Sequence, residues 1–369
     1  MNQLFRWDQT GLFLLALAAG ILPFAVPEVC AAALREGLTL CSGPLLLSLF
    51  PFLVVSRLLV QCPESDLLAL PFRLAAWGIG IRTPCAARVL CIGFLGGFAP
   101  AASAAAQAVR TGQLTAEEAD ALLPACICSG PSFVVLTVGQ SLLGSAELGV
   151  LLFASQITAN YLTAALLNRF AGVRSVKPGS AAPASPAPPR LDEILADAAI
   201  TYCKLCGFIL FFRMLAAGAG ALLPAGAGTL CAVLLEVCSG CDLASHTGRW
   251  GSLLCCAALS VQGLSVLLQV RTICPPEMTL CPLYRSRLLH LPLSLALFYL
   301  LLPGGEADVF STLPARVLLM RRVPPDCALL VFAVCCMAAC TLRSGIRQVE
   351  QKQMARNAGG CCINSKTLL

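Results

Sequence analysis

The sequence predicts an all-α fold, a polytopic membrane helix bundle of about eight spanning helices plus two broken or re-entrant segments, arranged as two repeat-like halves. Three observations predict it. Of 369 residues, 58% are apolar and only 12% charged, against about a quarter charged in soluble domains. So few charges cannot coat a water-facing domain of this length, whereas lipid solvates an apolar exterior without them. Apolar runs near the ~20 residues that cross a bilayer recur along the chain. Two of these runs contain Ser-Gly breaks, and irregular backbone survives at membrane depth only inside protein or around a cavity. The net charge of +6 is modest. The basic residues sit in loops and at the C-terminus rather than in one stripe, which argues against a nucleic-acid partner.

The runs lie near 10–30, 38–60, 84–107, 122–143, 148–169, 200–223, 225–240, 249–270, 286–302 and 326–344. The first begins at Thr10. It carries Pro23 and Pro27 in place of a small-residue cleavage site, and so reads as a span rather than a secretory leader. Pro124, Gly130, Pro131 and Gly139 interrupt 122–143. The run 225–240 is short and contains Glu236. Both are expected to be broken or re-entrant. A Pro/Ala/Ser-rich linker at 173–190 separates an N-terminal membrane half, 1–172, from a C-terminal half, 191–345, which is followed by a tail, 346–369. After the linker, Leu191, Ile194, Leu195 and Ala198 share one helical face, as expected of a helix at the membrane surface. Thr115 and Glu118 have capping-box spacing at the start of another helix.

Arg169, Arg174, Lys177 and Arg190 flank the linker, and Arg343, Arg347, Lys352, Arg356 and Lys366 mark the tail. The positive-inside rule makes both cytoplasmic. Four full spans and one re-entrant segment per half then bring both breaks in from the same side. Inverted repeats require opposite sides, so the loop charges and an inverted architecture conflict.

The breaks are also where binding chemistry concentrates. Ser129-Gly130 lies in the first half and Ser239-Gly240 in the second. Each is followed by a helix with amides, Gln156 and Asn160 in one half and Gln262 and Gln269 in the other. Broken helices present unpaired N–H and C=O groups, and many transporters build a midplane substrate site from them. Glu236, an acid in an apolar run, is a functional candidate for binding or coupling. The alternative is a helix end wetted by the loop around Asp242. Arg213 reads as a snorkelling cation or a span-boundary residue in preference to an ion-pair partner.

The chain has 22 cysteines. Most fall inside apolar runs, among them Cys91, Cys231, Cys255, Cys335 and Cys340, where they act as small hydrophobes. Cys203/Cys206 and Cys238/Cys241 have zinc-like spacing, but without flanking Gly knuckles or His they read as packing. His246 and His290 have no nucleophile–acid pattern around them, and His290, near Arg285 and Arg287, reads as interfacial. No Gly-Lys-Ser/Thr phosphate loop is present, which excludes ATP-driven transport by this chain alone. No catalytic residue, metal or cofactor is therefore expected.

The stretch from Gly93 to Gln156 resembles the signature of sporulation integral membrane proteins of the YlbJ type, part of the nucleoside-recognition or Gate-domain group. That group shares its domain with concentrative nucleoside transporters and the membrane part of ferrous iron transporter B. The matching residues are Gly97, Phe98 and Pro100, with Ala99 inserted; then Gly112, Leu114, Thr115, Glu117, Glu118 and Ala119; then Ser129, Gly130 and Pro131. In the second half Gly207, Phe208 and Ile209 match, followed by Glu236, Ser239 and Gly240, by Gly263, Leu264, Val266 and Gln269, and by Tyr284, Arg287 and Leu288. Cys128 stands where the family has Asn, Leu267 where it has His, and Arg213 at or near a position expected to be small. The resemblance implies a Gate architecture and a multi-pass protein of the mother-cell or forespore membrane that binds or transports a small, nucleoside-like solute during endospore formation. The alternative is a non-transporting scaffold for spore-envelope assembly. The expected substrate-binding set is Ser129, Gly130, Gln156, Asn160, Glu236, Ser239, Gly240, Gln262 and Gln269. The expected partners are the lipid bilayer, a small solute, a coupling ion and further copies of the chain in a homo-oligomer.

Overall fold

The computed structural model describes residues 9–61, 69–171 and 190–302. The linker up to residue 189, the expected span 326–344, Cys335, Cys340 and the tail lie outside the described residues. Helices and short connections make up everything described, and no strand occurs among those residues.

The chain order begins with α1 (Gln9–Ala25), α2 (Pro27–Ser42), α3 (Pro44–Gln61) and α4 (Leu70–Gly78). It continues with α5 (Pro84–Gly96), α6 (Phe98–Arg110), α7 (Ala116–Cys126), a π-helical segment (Ser132–Leu142) and α8 (Ala146–Ala171). The second half contains α9 (Leu191–Leu222), α10 (Ala225–Leu235), α11 (Val237–Ser245), α12 (Gly251–Val261), α13 (Gly263–Ile273) and α14 (Cys281–Leu301). Three of the described stretches are long and apolar enough to cross a membrane: Ala146–Ala171, Leu191–Leu222 and Gly248–Ile273. A fourth counts if α1 and α2, bent by 108° at Val26, form one broken span. Many large apolar side chains are exposed, among them Phe24 at 88%, Phe170 at 82% and Leu288 at 79%, an exterior of the kind that lipid solvates. Together with the apolar helices they fit a membrane protein.

Several boundaries differ from those expected. The run 38–60 is not one helix, because Gly43 divides it into α2 and α3. The surface helix 191–200 and the span 200–223 are a single helix of 32 residues, with no breaker between them. On that helix Ile194 and Ala198 are buried, while Leu191 and Leu195 face outward. The capping box at α7 forms on both sides. The Glu118 N–H donates to Thr115 Oγ1 at 3.1 Å, and the Thr115 N–H donates to Glu118 Oε2 at 3.2 Å.

The largest difference is at 84–107, which is not a span. It folds back at Gly97 into a hairpin, α5 against α6. Gly97 has φ +80, a region glycine enters without steric cost. A Cβ on Gly93 would lie 3.2 Å from the Ala101 Cβ, and one on Gly96 would lie 2.9 Å from the Pro100 Cγ. Alanines fill the second arm, with Ala99, Ala101, Ala102, Ala104, Ala105, Ala106 and Ala108 all buried. Small residues let the arms approach and allow α6 to be enclosed on every side.

The second half repeats the device. Helix α10 folds back on α11 at Glu236, and a Cβ on Gly240 would lie 2.8 Å from the Val233 Cα. In each half a broken helix follows the hairpin: α7 with the π-helical segment in one, α12 with α13 in the other. The hairpin tip meets the break. A Cβ on Gly97 would lie 2.7 Å from the Gly130 N, and one on Gly263 (φ +70) would lie 3.0 Å from the Glu236 N.

Helix α9 gives the two hairpins a common ruler. The foot of the first hairpin, Arg110, lines a cavity with Asp197 and Lys204 near the start of α9. At the foot of the second, a Cβ on Gly228 would lie 3.0 Å from the Gly220 Cα, near the end of α9. The hairpins therefore enter from opposite ends. The loop charges instead predict entry of both breaks from one side, and 84–107, read there as a crossing, is two short helices rather than one helix long enough to span.

Candidate functional site

The two hairpin–break pairs converge on one cavity of about 50 Å³. Ser129, Gly130, Ser132 and Phe133 line it from the first half, and Glu236, Val237, Cys238, Val266 and Gln269 from the second. Leu45, Leu49 and Ile209 close it with α3 and α9. The lining includes the first residues of α6, of the π-helical segment and of α11. The first N–H groups of a helix lack intrahelical partners and carry partial positive charge.

Glu236 answers that charge in α11. Only 2% exposed, it is the N-cap of α11, and its carboxylate accepts from the N–H groups of Cys238 at 2.9 Å and Ser239 at 2.7 Å. Glu236 thus stands at a helix end, as the alternative reading has it. A wetting loop around Asp242 is not what satisfies it; the backbone of its own helix is. Gln269 is 1% exposed. Its Nε2 donates to Ser265 Oγ at 2.9 Å, and its Oε1 is buried without a partner. That leaves one acceptor with hydrogen-bonding capacity at the cavity.

Of the nine expected binding residues, Ser129, Gly130, Glu236 and Gln269 meet at this cavity. The others take supporting positions. Gln156 Nε2 donates to Ser260 Oγ at 2.9 Å and to the Cys256 carbonyl at 3.2 Å, tying α8 to α12. Asn160 Nδ2 donates to the Ile127 carbonyl at 3.2 Å and so holds the first break. Gln262 adopts φ 66 at the second break, and its Nε2 donates to the Leu259 carbonyl at 2.6 Å. Ser239 lines a neighbouring cavity. Gly240 provides the close approach of the hairpin arms.

Two readings of charged residues are corrected. Arg213 pairs with Glu36 at 2.8 Å; these residues are too distant in sequence for their pairing to be visible there. His290 is fully buried, with Nε2 3.2 Å from the Gln156 carbonyl, and is not interfacial. Arg287, beside it in α14, was not among the expected binding residues. It is buried and donates to Asn160 Oδ1 at 3.1 Å and toward the Ile127 carbonyl at 3.4 Å, which places a cation at the C-terminal end of α7. Asp120 gave no sequence signal beyond its place in a polar helix. It receives the N–H and Oγ1–H of Thr279 and the N–H of Leu280 at 2.7–3.1 Å.

Two further cavities lie along α9 on either side of the central one. One, of about 140 Å³, lies at Asp197–Leu205 and is lined by Arg57 and Arg110. The other, of about 530 Å³, lies at Arg213–Ala221 and is lined by Glu36, Ser239, Asp242 and His246. Helix α11 divides this larger cavity from the central one: Cys238 faces the centre, and Ser239 the outer space. Among the described residues, no group of three or more His, Cys, Asp or Glu side chains could hold a metal ion. The described cysteines are free, and Cys91 and Cys255 are packed in the interior.

No known protein family, curated protein or solved structure matches this chain.

Proposed function

We propose that the chain is a multi-pass membrane protein that binds a small polar solute at the convergence of its two broken segments and moves it across the bilayer. The observation that carries this reading is the series of three cavities along α9, with the central one formed by both halves. A scaffold needs no series of cavities along one helix, and the polar groups in their linings are costly at membrane depth unless they serve a pathway or are paired.

The sizes suggest where the solute stands. The central cavity, about 50 Å³, has room for a few waters or an ion, well below the ~300 Å³ at which pockets for drug-sized ligands begin. The outer cavity, about 530 Å³, falls within that range. In this conformation a nucleoside-sized solute enters the outer cavity first. Displacement of the α10–α11 hairpin joins it to the centre, where Glu236 and Gln269 receive it. The resemblance to sporulation membrane proteins supports a role in endospore formation, in the mother-cell or forespore membrane, and a nucleoside-like solute.

Two variants test this, Glu236→Gln and Glu236→Ala, each examined in reconstituted vesicles for uptake of labelled nucleosides and smaller polar solutes, and in cells for spore formation. Both are expected to reduce flux about 10-fold or more, in line with loss of a charged hydrogen-bonding group of ~1.5–3 kcal/mol, with membrane levels unchanged. Wild-type flux and sporulation in both variants would contradict a binding role. Lost sporulation with no flux in the wild type would favour the scaffold.

A further inference from the structure

We propose that the cavity between α3, α6, α9 and α13 is a binding site for a phosphate-type anion, either the headgroup of an anionic lipid or free phosphate. The proposal does not depend on whether the chain carries a solute.

Three cations line this cavity, Arg57, Arg110 and Lys204, against one carboxylate, Asp197. Ser103 and Thr272 add hydroxyl groups to the lining. Its volume of about 140 Å³ exceeds the space a few waters require, so a tetrahedral oxyanion fits.

Internal pairing does not use up this charge. Arg57 pairs with Asp197 and donates through Nη2 to Thr201 Oγ1 at 3.2 Å. Its side chain is 9% exposed, and its Nε is buried with no acceptor. A guanidinium offers donors in a fixed fork suited to phosphate, and the Nε donor of this one is unused. Arg110 reaches only the Ile273 carbonyl, at 3.5 Å; covering the end of α13 accounts for it in part. Lys204 is exposed and forms no ion pair among the described residues.

The location suits an anion from the membrane surface. The cavity lies near the start of α9, at the end of the turns 191–200 and the turn after them, and Ile200, 55% exposed, is part of its lining. Basic pockets between helices at headgroup depth recruit anionic lipid. An uncharged or cationic ligand would leave the excess positive charge unanswered.

The test uses the full chain. In neutral detergent, inorganic phosphate is titrated by calorimetry. In nanodiscs, lipid retention is counted by native mass spectrometry with phosphatidylcholine alone or with one-fifth phosphatidylglycerol. Lys204→Gln and Arg110→Gln are each expected to weaken binding about fivefold, the effect of one surface cation. Asp197→Asn is expected to strengthen it, because the competing carboxylate is removed. Lys204 and Arg110 are exposed; because Asp197 pairs with the buried Arg57, thermal unfolding of Asp197→Asn accompanies its titration to show that the fold is retained. If the cations only cap helix ends, Asp197→Asn leaves anion binding unchanged, and the proposal fails. Phosphate binding without selective phosphatidylglycerol retention assigns the site to a soluble anion. Selective phosphatidylglycerol retention assigns it to lipid. Absence of both overturns the proposal.

Discussion

Gly97→Val is expected to destabilise the purified chain by about 3 kcal/mol or more, through two costs that add. The backbone at φ +80 and ψ −163 lies in a region that glycine alone enters readily, and holding a side chain there costs about 1–3 kcal/mol. The new Cβ would also lie 2.7 Å from the Gly130 N, where backbone rather than a flexible side chain blocks it. Gly144→Ala separates the two. Gly144 has φ +72, yet nothing lies within 4 Å of a Cβ there, so only the backbone cost of about 1 kcal/mol remains. Thermal unfolding in detergent, read as a ranking of wild type, G144A and G97V, checks this. Equal losses for the two variants would show that the first hairpin tip does not press on the first break.

Asp120→Ala is expected to cost about 2–3 kcal/mol, the range for hydrogen bonds to a charged group whose loss leaves buried donors unsatisfied. Its carboxylate accepts three hydrogen bonds from Thr279 and Leu280. Removing it orphans the Leu280 N–H at a residue with φ 57, a conformation that a leucine adopts only when its surroundings hold it there. The tether joins α7 of the first half to the connection before α14 in the second, so its loss loosens the halves as well as a turn. Asp120→Asn keeps one acceptor oxygen and is expected to lose less than half as much. The two variants compared by thermal unfolding, and by hydrogen exchange at Leu280, distinguish a lost tether from a general loss of packing.

Much of the fold was legible because hydrocarbon solvent imposes simple rules. Run lengths, breakers and the scarcity of charge gave an all-helical fold with breaks near 130 and 236, both of which are present. The hairpin at 84–110 was misread for a physical reason. Two apolar arms folded back on each other have the same hydropathy as one crossing. The distinguishing signal was steric, in Gly93, Gly96 and Gly97 followed by Pro100 and a run of alanines, which together allow a tight reversal. Glu236 was legible as an acid out of place, but its role as the N-cap of α11 depends on the backbone. Gln156 and Asn160 read in the sequence as amides at depth, and such amides serve equally well to satisfy buried carbonyls, as both do here. Arg57–Asp197 and Arg213–Glu36 join residues remote in sequence, a pairing that only the folded arrangement reveals.

Two hairpins approach from opposite ends of α9 and meet at one cavity. The most direct test of this arrangement is the sidedness of their feet. An epitope inserted after Gly112, beyond the first hairpin, and another after Gly248, beyond the second, can each be probed by protease protection in sealed, oriented membrane vesicles. Protection of one epitope and cleavage of the other is the predicted result. Both epitopes cleaved, or both protected, would contradict it.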